Sequence, residues 1–208
     1  MPSENDGVMI VLSSPSGAGK TTLVKMLSKM DSFEVSISHT TRQPRLNEVN
    51  DKDYYFVNED EFKRLINNQE FLEYAKVFSN FYGTTRTPVI DRLSKGKNVL
   101  FDIDWQGAQQ LTQAAANDLV KIFILPPNMR ELENRLRSRA QDSDDVIARR
   151  MSKSENEISH WAEYDYIIIN EDISEAIEEL TTIVNAERMK RPRQPWLGSF
   201  IKKLITGG

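Results

Sequence analysis

The apolar run Val8 to Leu12 leads directly into Ser14-Pro-Ser-Gly17-Ala-Gly19-Lys20-Thr21, and a stretch with helical spacing follows. Glycines in such a turn let the backbone bend tightly and approach a ligand without side-chain interference. Successive N–H groups then converge with the N-terminus of the next helix into a concavity that holds phosphate. In this arrangement Lys20 reaches the outer phosphates of a nucleoside triphosphate, and the Thr21 hydroxyl ligates the Mg²⁺ that accompanies it. The candidate phosphate site therefore runs through Ser14, Pro15, Ser16, Gly17, Ala18, Gly19, Lys20, Thr21 and Thr22. One position departs from the general Gly-x-x-x-x-Gly-Lys-Thr string, because Ser14 stands where the first glycine usually does. Lys20, long and charged, is expected to be solvated outside catalysis, so its replacement is expected to spare the fold.

A strand–loop–helix unit of this kind belongs to an open α/β sheet. Further short apolar runs at Val99–Phe101, Val120–Leu125 and Tyr166–Ile169 read as strands covered on both faces, as in a parallel sheet. A fifth strand is placed over Phe33–Ser38, after a helix from about Lys20 to Met30. The expected fold is an α/β P-loop fold with an open parallel sheet flanked by helices, whose ligands bind beyond the carboxyl ends of the strands. With 208 residues, 39% of them hydrophobic and 28% charged, the chain suits one globular domain. The net charge of −4 argues against a protein that coats nucleic acid. Cysteine is absent, which excludes disulfides and thiolate chemistry and suits a reducing compartment. The polar, acidic start is unlike an export signal, and no apolar run approaches the roughly 20 residues of a membrane-spanning helix. A cytoplasmic protein without nucleic-acid or membrane partners is expected.

Residues 38–87 break the strand–helix rhythm. A polar loop, the aromatic run Tyr54 to Phe56 and a helix opened by an Asn58/Glu61 capping box come first. Strands at Glu70–Val77 and Phe78–Thr85 follow, so the segment is placed as an inserted, mostly β subdomain between core segments 1–37 and 88–208. The carboxylates Asp102 and Asp104 alternate at a strand end, which puts them on one side, where they can hold Mg²⁺ waters or orient a phosphate. Capping of the helix that begins near Gln106 is the plainer role for either alone. A helix from Asn128 is followed by Arg135, Arg137, Arg139, Arg149 and Arg150, split by the acidic run Asp142 to Asp145. Residues 137–158 read as a helical lid. The tail beyond Arg188 reads as basic and loosely helical, with no function assigned. The histidines His39 and His160 do not make a metal site.

The acceptor side is carried by a series of residues in order: Ser38-His-Thr-Thr-Arg42-Gln-Pro-Arg45, Glu48, Asp53-Tyr54, Phe71-Leu-Glu73-Tyr and Tyr82-Gly-Thr84. Together with the phosphate loop, the Asp-Ile-Asp strand end, Pro126-Pro127, the arginine helices and Ile169-Asn170-Glu-Asp172, this series resembles the guanylate kinase family over nearly the whole chain. The departures are His39, where a serine is usual, and Asp51, where a small residue is.

The resemblance implies a P-loop kinase fold and transfer of the γ-phosphoryl group of Mg-ATP to GMP or dGMP, giving ADP and GDP in purine nucleotide metabolism. It implies that Arg42, Arg45, Tyr54 and Tyr82 grip the GMP phosphate and that Ser38, Glu73 and Thr84 read guanine. Asp102 and Asp104 then lie at the acceptor, and Asn170 contacts the adenine side of ATP. Arg135, Arg139 and Arg150 close over the ATP phosphates, completing a catalytic set with Lys20, Arg42 and Asp104; Arg137 and Arg149 are left as surface. The chemistry agrees, since guanidinium pairs with phosphate through parallel hydrogen bonds and a carboxylate can accept from two adjacent guanine donors. The implied partners are ATP and GMP, and a homodimer is compatible with the reading. Two rivals are a kinase for another nucleoside monophosphate and a non-catalytic module that binds acidic peptides in the same cleft.

Overall fold

The computed structural model describes residues 6–77, 79–115, 118–138 and 143–207. Strand β1 (Met9–Ser13), buried along its whole length, passes through the glycine-rich loop into helix α1 (Lys20–Leu27). The chain continues as β2 (Phe33–Val35), β3 (His39–Thr40), β4 (Tyr55–Phe56) and α2 (Glu59–Asn67). Next come β5 (Phe71–Val77), β6 (Asn80–Thr85), α3 (Arg86–Ser94), β7 (Asn98–Asp102) and α4 (Trp105–Ala115). The last elements are β8 (Leu119–Leu125), α5 (Met129–Ser138), α6 (Asp144–Ser159), β9 (Tyr166–Ile169), α7 (Ile173–Arg188) and α8 (Leu197–Thr206).

Five strands form a sheet in the order β2-β7-β1-β8-β9, with every neighbouring pair parallel. Alternation along β1 divides the core between the two faces. Val8, Ile10 and Leu12 pack with Leu23 and Leu27 of α1 and with Leu180 and Val184 of α7, whereas Met9 and Val11 join Phe101 and Leu111. Each such side chain contributes about 1.5–3 kcal/mol by leaving water, so β1 is held rigidly where the phosphate loop begins. The sheet is an open α/β sheet flanked by helices, as the strand–helix rhythm requires.

Two strand assignments need correction. The strand after α1 stops at Val35 rather than Ser38. Tyr166–Ile169 reads as covered on both faces, yet β9 is the sheet edge: Ile168 is 1% exposed, Ile167 38% and Ile169 56%. The second hairpin strand begins at Asn80; Phe78, its expected start, lies outside the described residues.

A second sheet, in the order β4-β3-β6-β5, is built on the antiparallel β5–β6 pair, with β3 antiparallel to β6 and parallel to β4. Its small core stacks Phe62 of α2 on Phe71 and Phe81, with ring centroids 4.6 and 5.4 Å apart. Helix α2 starts at Asn58, whose Oδ1 accepts from the Glu61 N–H at 2.8 Å. Only this half of the expected capping box forms, because the Glu61 carboxylate turns to Arg64, 2.7 Å away.

The tail is helical over α8, and it is also tied to the core. Glu187, 2% exposed, accepts from the Tyr166 hydroxyl at 2.8 Å and pairs with Arg193 at 3.1 Å, so a buried ion pair ties residues past α7 to the sheet before α8 begins. Among the described residues no helix is long and apolar enough to cross a membrane.

Candidate active site

The phosphate loop emerges at the carboxyl end of β1, between β7 and β8, where the strand order changes direction. Gly17 and Gly19 take φ of 98° and 104°, left-handed backbone that a side chain resists. A Cβ at Gly19 would also collide with Asn170 Nδ2. Asn170 is 3% exposed and donates to the Ala18 carbonyl at 2.7 Å. Its amide is thus a strut beneath the loop, a role the sequence did not suggest, and the residue also lines the cleft beside that loop. Position 14 is not among the positive-φ residues, so serine fits there without strain, and its hydroxyl donates to the Pro15 carbonyl at 3.0 Å. Gly19→Ala is expected to lower stability by about 2 kcal/mol and to weaken ATP binding at least about tenfold, through backbone strain and collision with Asn170. Thermal denaturation and ATP titration check this; an unchanged melting temperature would show that the strut yields.

Lys20 is not solvated as expected. Its ammonium pairs with Asp102 at 2.5 Å, approaches the Ile103 carbonyl at 3.4 Å, and its side chain is only 20% exposed. The β1–β7 register sets Asp102 opposite Leu12, beside the start of the loop. Asp104 Oδ1 accepts from the Gly107 N–H at 3.0 Å and caps α4. Thr21 and Thr22 are exposed at the start of α1. An exposed hydroxyl is a hard oxygen donor, which fits a small hard cation that keeps waters and phosphates as its other ligands.

The second sheet brings the acceptor-side residues together. Glu73 on β5 lies directly across from Thr84 on β6, and the Thr84 hydroxyl is 3.0 Å from that of Ser38. Glu73 is 6% exposed and Thr84 2%. Burial pushes the Glu73 carboxyl up to about 7, with nearby Asp104 adding to the rise and hydrogen bonds from Thr84 opposing it. The Tyr54 and Tyr82 rings are 6.0 Å apart, and the Arg42 guanidinium lies over Tyr54, 5.4 Å from its centroid. Burial also raises the Tyr54 hydroxyl above the usual phenol value. Glu48 organises this end of the site: it pairs with Arg42 at 2.8 Å and accepts from the Arg45 N–H at 2.8 Å. The Glu48 and Tyr82 contacts hold Arg42 firmly charged. In sequence Glu48 was part of a motif without a role; its spacing of three from Arg45 within a polar loop was the available signal. Arg45 itself is exposed. His39 packs its ring on Tyr55 at 4.7 Å, as a core residue does.

On the donor side, a cleft of about 460 Å³ is lined by Gly17, Gly19, Thr22, Arg135, Asn170 and Asp172, among others. Arg135 reaches it from α5, donating to Glu131 at 2.8 Å and to the Asn170 carbonyl at 3.1 Å. Arg137 pairs with Glu133 on its own helix and, at 2.6 Å, with Asp144 of α6, so this surface arginine stitches the two helices together. Arg150 is half-buried on α6 and Arg149 is exposed. Arg139 lies outside the described residues.

Residues 7–187 match the family model for guanylate kinase. The chain is 52% identical over 200 residues to the guanylate kinase of Maricaulis maris, covering 96% of this chain and 92% of that protein. It is 53% identical over 202 residues to that of Paramagnetospirillum magneticum, covering 97% and 94%. Among solved structures, the guanylate kinase of Anaplasma phagocytophilum superposes with a TM-score of 0.74 at 41% identity, covering 96% of this chain and 95% of that one. A phosphate loop braced by Asn170, a buried carboxylate facing two hydroxyls, and relatives matched from end to end lead to one assignment: the chain belongs to the guanylate kinase family.

Proposed function

We propose that this enzyme moves the γ-phosphoryl group of Mg-ATP to GMP, and that the second sheet, within residues 38–87, is its GMP-binding subdomain. The observation that carries this reading is the buried pair Glu73 and Thr84 with the half-buried Ser38 beside them. Guanine offers a ring N–H and an amino group side by side, both of which one carboxylate can accept, while a hydroxyl donates to its carbonyl oxygen. Adenine lacks that pair of donors, so it would leave a buried carboxylate unsatisfied, and polar selection of this kind discriminates strongly. Arg42, Arg45, Tyr54 and Tyr82 hold the acceptor phosphate, with Glu48 keeping Arg42 in place.

The ATP phosphates lie along Ser14 to Thr22, with Lys20 on the transferred group. Mg²⁺ carried with ATP would be held by Thr21 beside Asp102, neutralising phosphate charge. The lid is about residues 137–158, chiefly α6, and it brings Arg150 to the phosphates, with Arg139 in the same role and Arg135 on α5 at its hinge. Phosphoryl transfer needs positioning and charge stabilisation rather than a side-chain nucleophile, and exclusion of water keeps ATP from being hydrolysed. Asp104 orients the acceptor while capping α4. Asn170 serves ATP through the loop it supports. A cytoplasmic location, action on dGMP and a homodimer complete the reading.

A coupled assay with Mg-ATP and GMP, AMP, dTMP or UMP tests it. GMP is expected to exceed the others in kcat/KM by at least about 10³-fold. Comparable turnover of AMP would reassign the acceptor site, and no turnover of any acceptor would favour a binding module.

A further inference from the structure

The phosphate loop has a partner on α6. The Ser16 N–H donates to Glu157 Oε2 at 3.1 Å, across 141 positions of sequence. An N–H of a phosphate loop is disposed to meet an anionic oxygen, and a carboxylate is the protein's own version of that acceptor. The contact comes from a defined helix face. Ile147 and Ser154 are buried at 5% and 0% exposure, and Arg150 and Glu157 are half-buried on the same stripe. The burial of Ile147 and Ser154 shows this face of α6 turned to the body of the protein, and the Ser154 hydroxyl bonds back within the helix to the Arg150 carbonyl at 2.9 Å. Glu157 meets the loop from this same face of α6.

One N–H cannot serve two oxyanions well, and ATP brings several negative charges to this loop. We infer that Glu157 is a residue that sets donor affinity: its carboxylate holds the Ser16 N–H as a built-in counter-ligand that an ATP phosphate must displace. Binding of ATP is then weaker than the loop alone would allow, and departure of the carboxylate links phosphate arrival to the position of α6. Arg150, about two turns earlier on the same stripe, moves with any shift of that helix. The inference rests on the loop being the ATP phosphate site.

The test uses the whole chain with ATP and Mg²⁺, followed by titration calorimetry, for the wild type, Glu157→Gln and Glu157→Ala. Glutamine keeps the length and an acceptor oxygen, so the loop contact survives and only the charge is lost. Both variants are expected to bind ATP about fivefold more tightly, alanine at least as much as glutamine, with the gain shrinking as salt is raised. The dissociation constant of GMP is expected to stay unchanged. Unaltered ATP affinity in both variants would overturn the inference. So would a glutamine variant like the wild type beside a weaker-binding alanine variant, because that pattern marks a prop rather than a competitor. A wild-type protein that binds no ATP would instead overturn the donor-site reading, and the inference with it.

Discussion

Replacing Lys20 by methionine is expected to lower phosphoryl transfer by about 10³-fold or more while the fold persists. On the proposed reading the ammonium is the loop's side-chain cation for the transferred group, and loss of one preorganised charge-stabilising donor commonly costs about 10²–10³ in rate. Methionine matches its length without its charge, so packing around the aliphatic stem is retained. The fold is expected to tolerate the change for a reason read from the structure, not from solvation of the lysine. Lys20 is paired with Asp102, but the Asp102 side chain is 37% exposed, so water can take the place of the lost partner. An ion pair that open to solvent contributes about 0–1 kcal/mol. Steady-state kinetics together with a melting curve check both parts. Near-normal turnover would remove Lys20 from the donor site, and a collapsed melting temperature would mean that its pairing with Asp102 is structural.

Glu73→Gln is expected to reduce kcat/KM for GMP by at least about tenfold, roughly 1.4 kcal/mol, and to narrow the discrimination against AMP. Glutamine replaces one acceptor oxygen with a donor, so guanine is paired once instead of twice and adenine gains a partner. The pH dependence should separate this role from simple packing. Burial raises the carboxyl from 4.5 to about 7, so near neutral pH a sizeable share of the wild-type protein carries a proton there. Guanine needs the ionised form, so the KM for GMP should fall in the wild type as pH rises from about 6 to 8, and stay flat in the variant. Stability should move the other way. The native state holds the extra proton between 4.5 and about 7, so unfolding free energy decreases as pH rises through that window and stays reduced above it. The reduction is about 3 kcal/mol at most. Glu73→Gln lacks this charge and should unfold later than the wild type at pH 8, with little difference at pH 4. Denaturant titrations at both values check it; a variant less stable than the wild type at pH 8 would mean that the carboxylate is a structural partner. A side chain that costs stability when charged is retained for what it binds.

The donor loop was legible in sequence because its chemistry is local: Gly17, Gly19, Lys20 and Thr21 are consecutive or nearly so, and their function follows from backbone conformation. Asn170 shows the limit of that reading. It is 3% exposed and bonded to Ala18, yet in sequence it is an asparagine ending a strand, with nothing to indicate that the strand end lies under a loop some 150 residues earlier. Glu48 and Glu157 were missed for the same reason. Each is an ordinary surface-type residue in sequence, and each gains its role from a backbone or guanidinium partner supplied by the fold. Asp51 is the reverse case. It departs from the small residue of the motif it resembles, and it takes a left-handed φ of 65°, which aspartate tolerates better than most side chains.

By itself the sequence determined the strand–helix alternation and the phosphate loop, since hydrophobic period and glycine placement act over a few residues; the proposed acceptor residues came from the resemblance carried by motifs in a fixed order. Tertiary structure alone decided which strand became the edge, because β9 has the same isoleucine run that a central strand would and differs only in lacking a second neighbour. It also decided the charge state of the site. Glu73 is set near 7 by burial and Lys20 is held by Asp102, and both effects depend on distances between segments remote in the chain. Hydrogen bonding and desolvation are properties of the surroundings, and those exist only once the sheets have assembled.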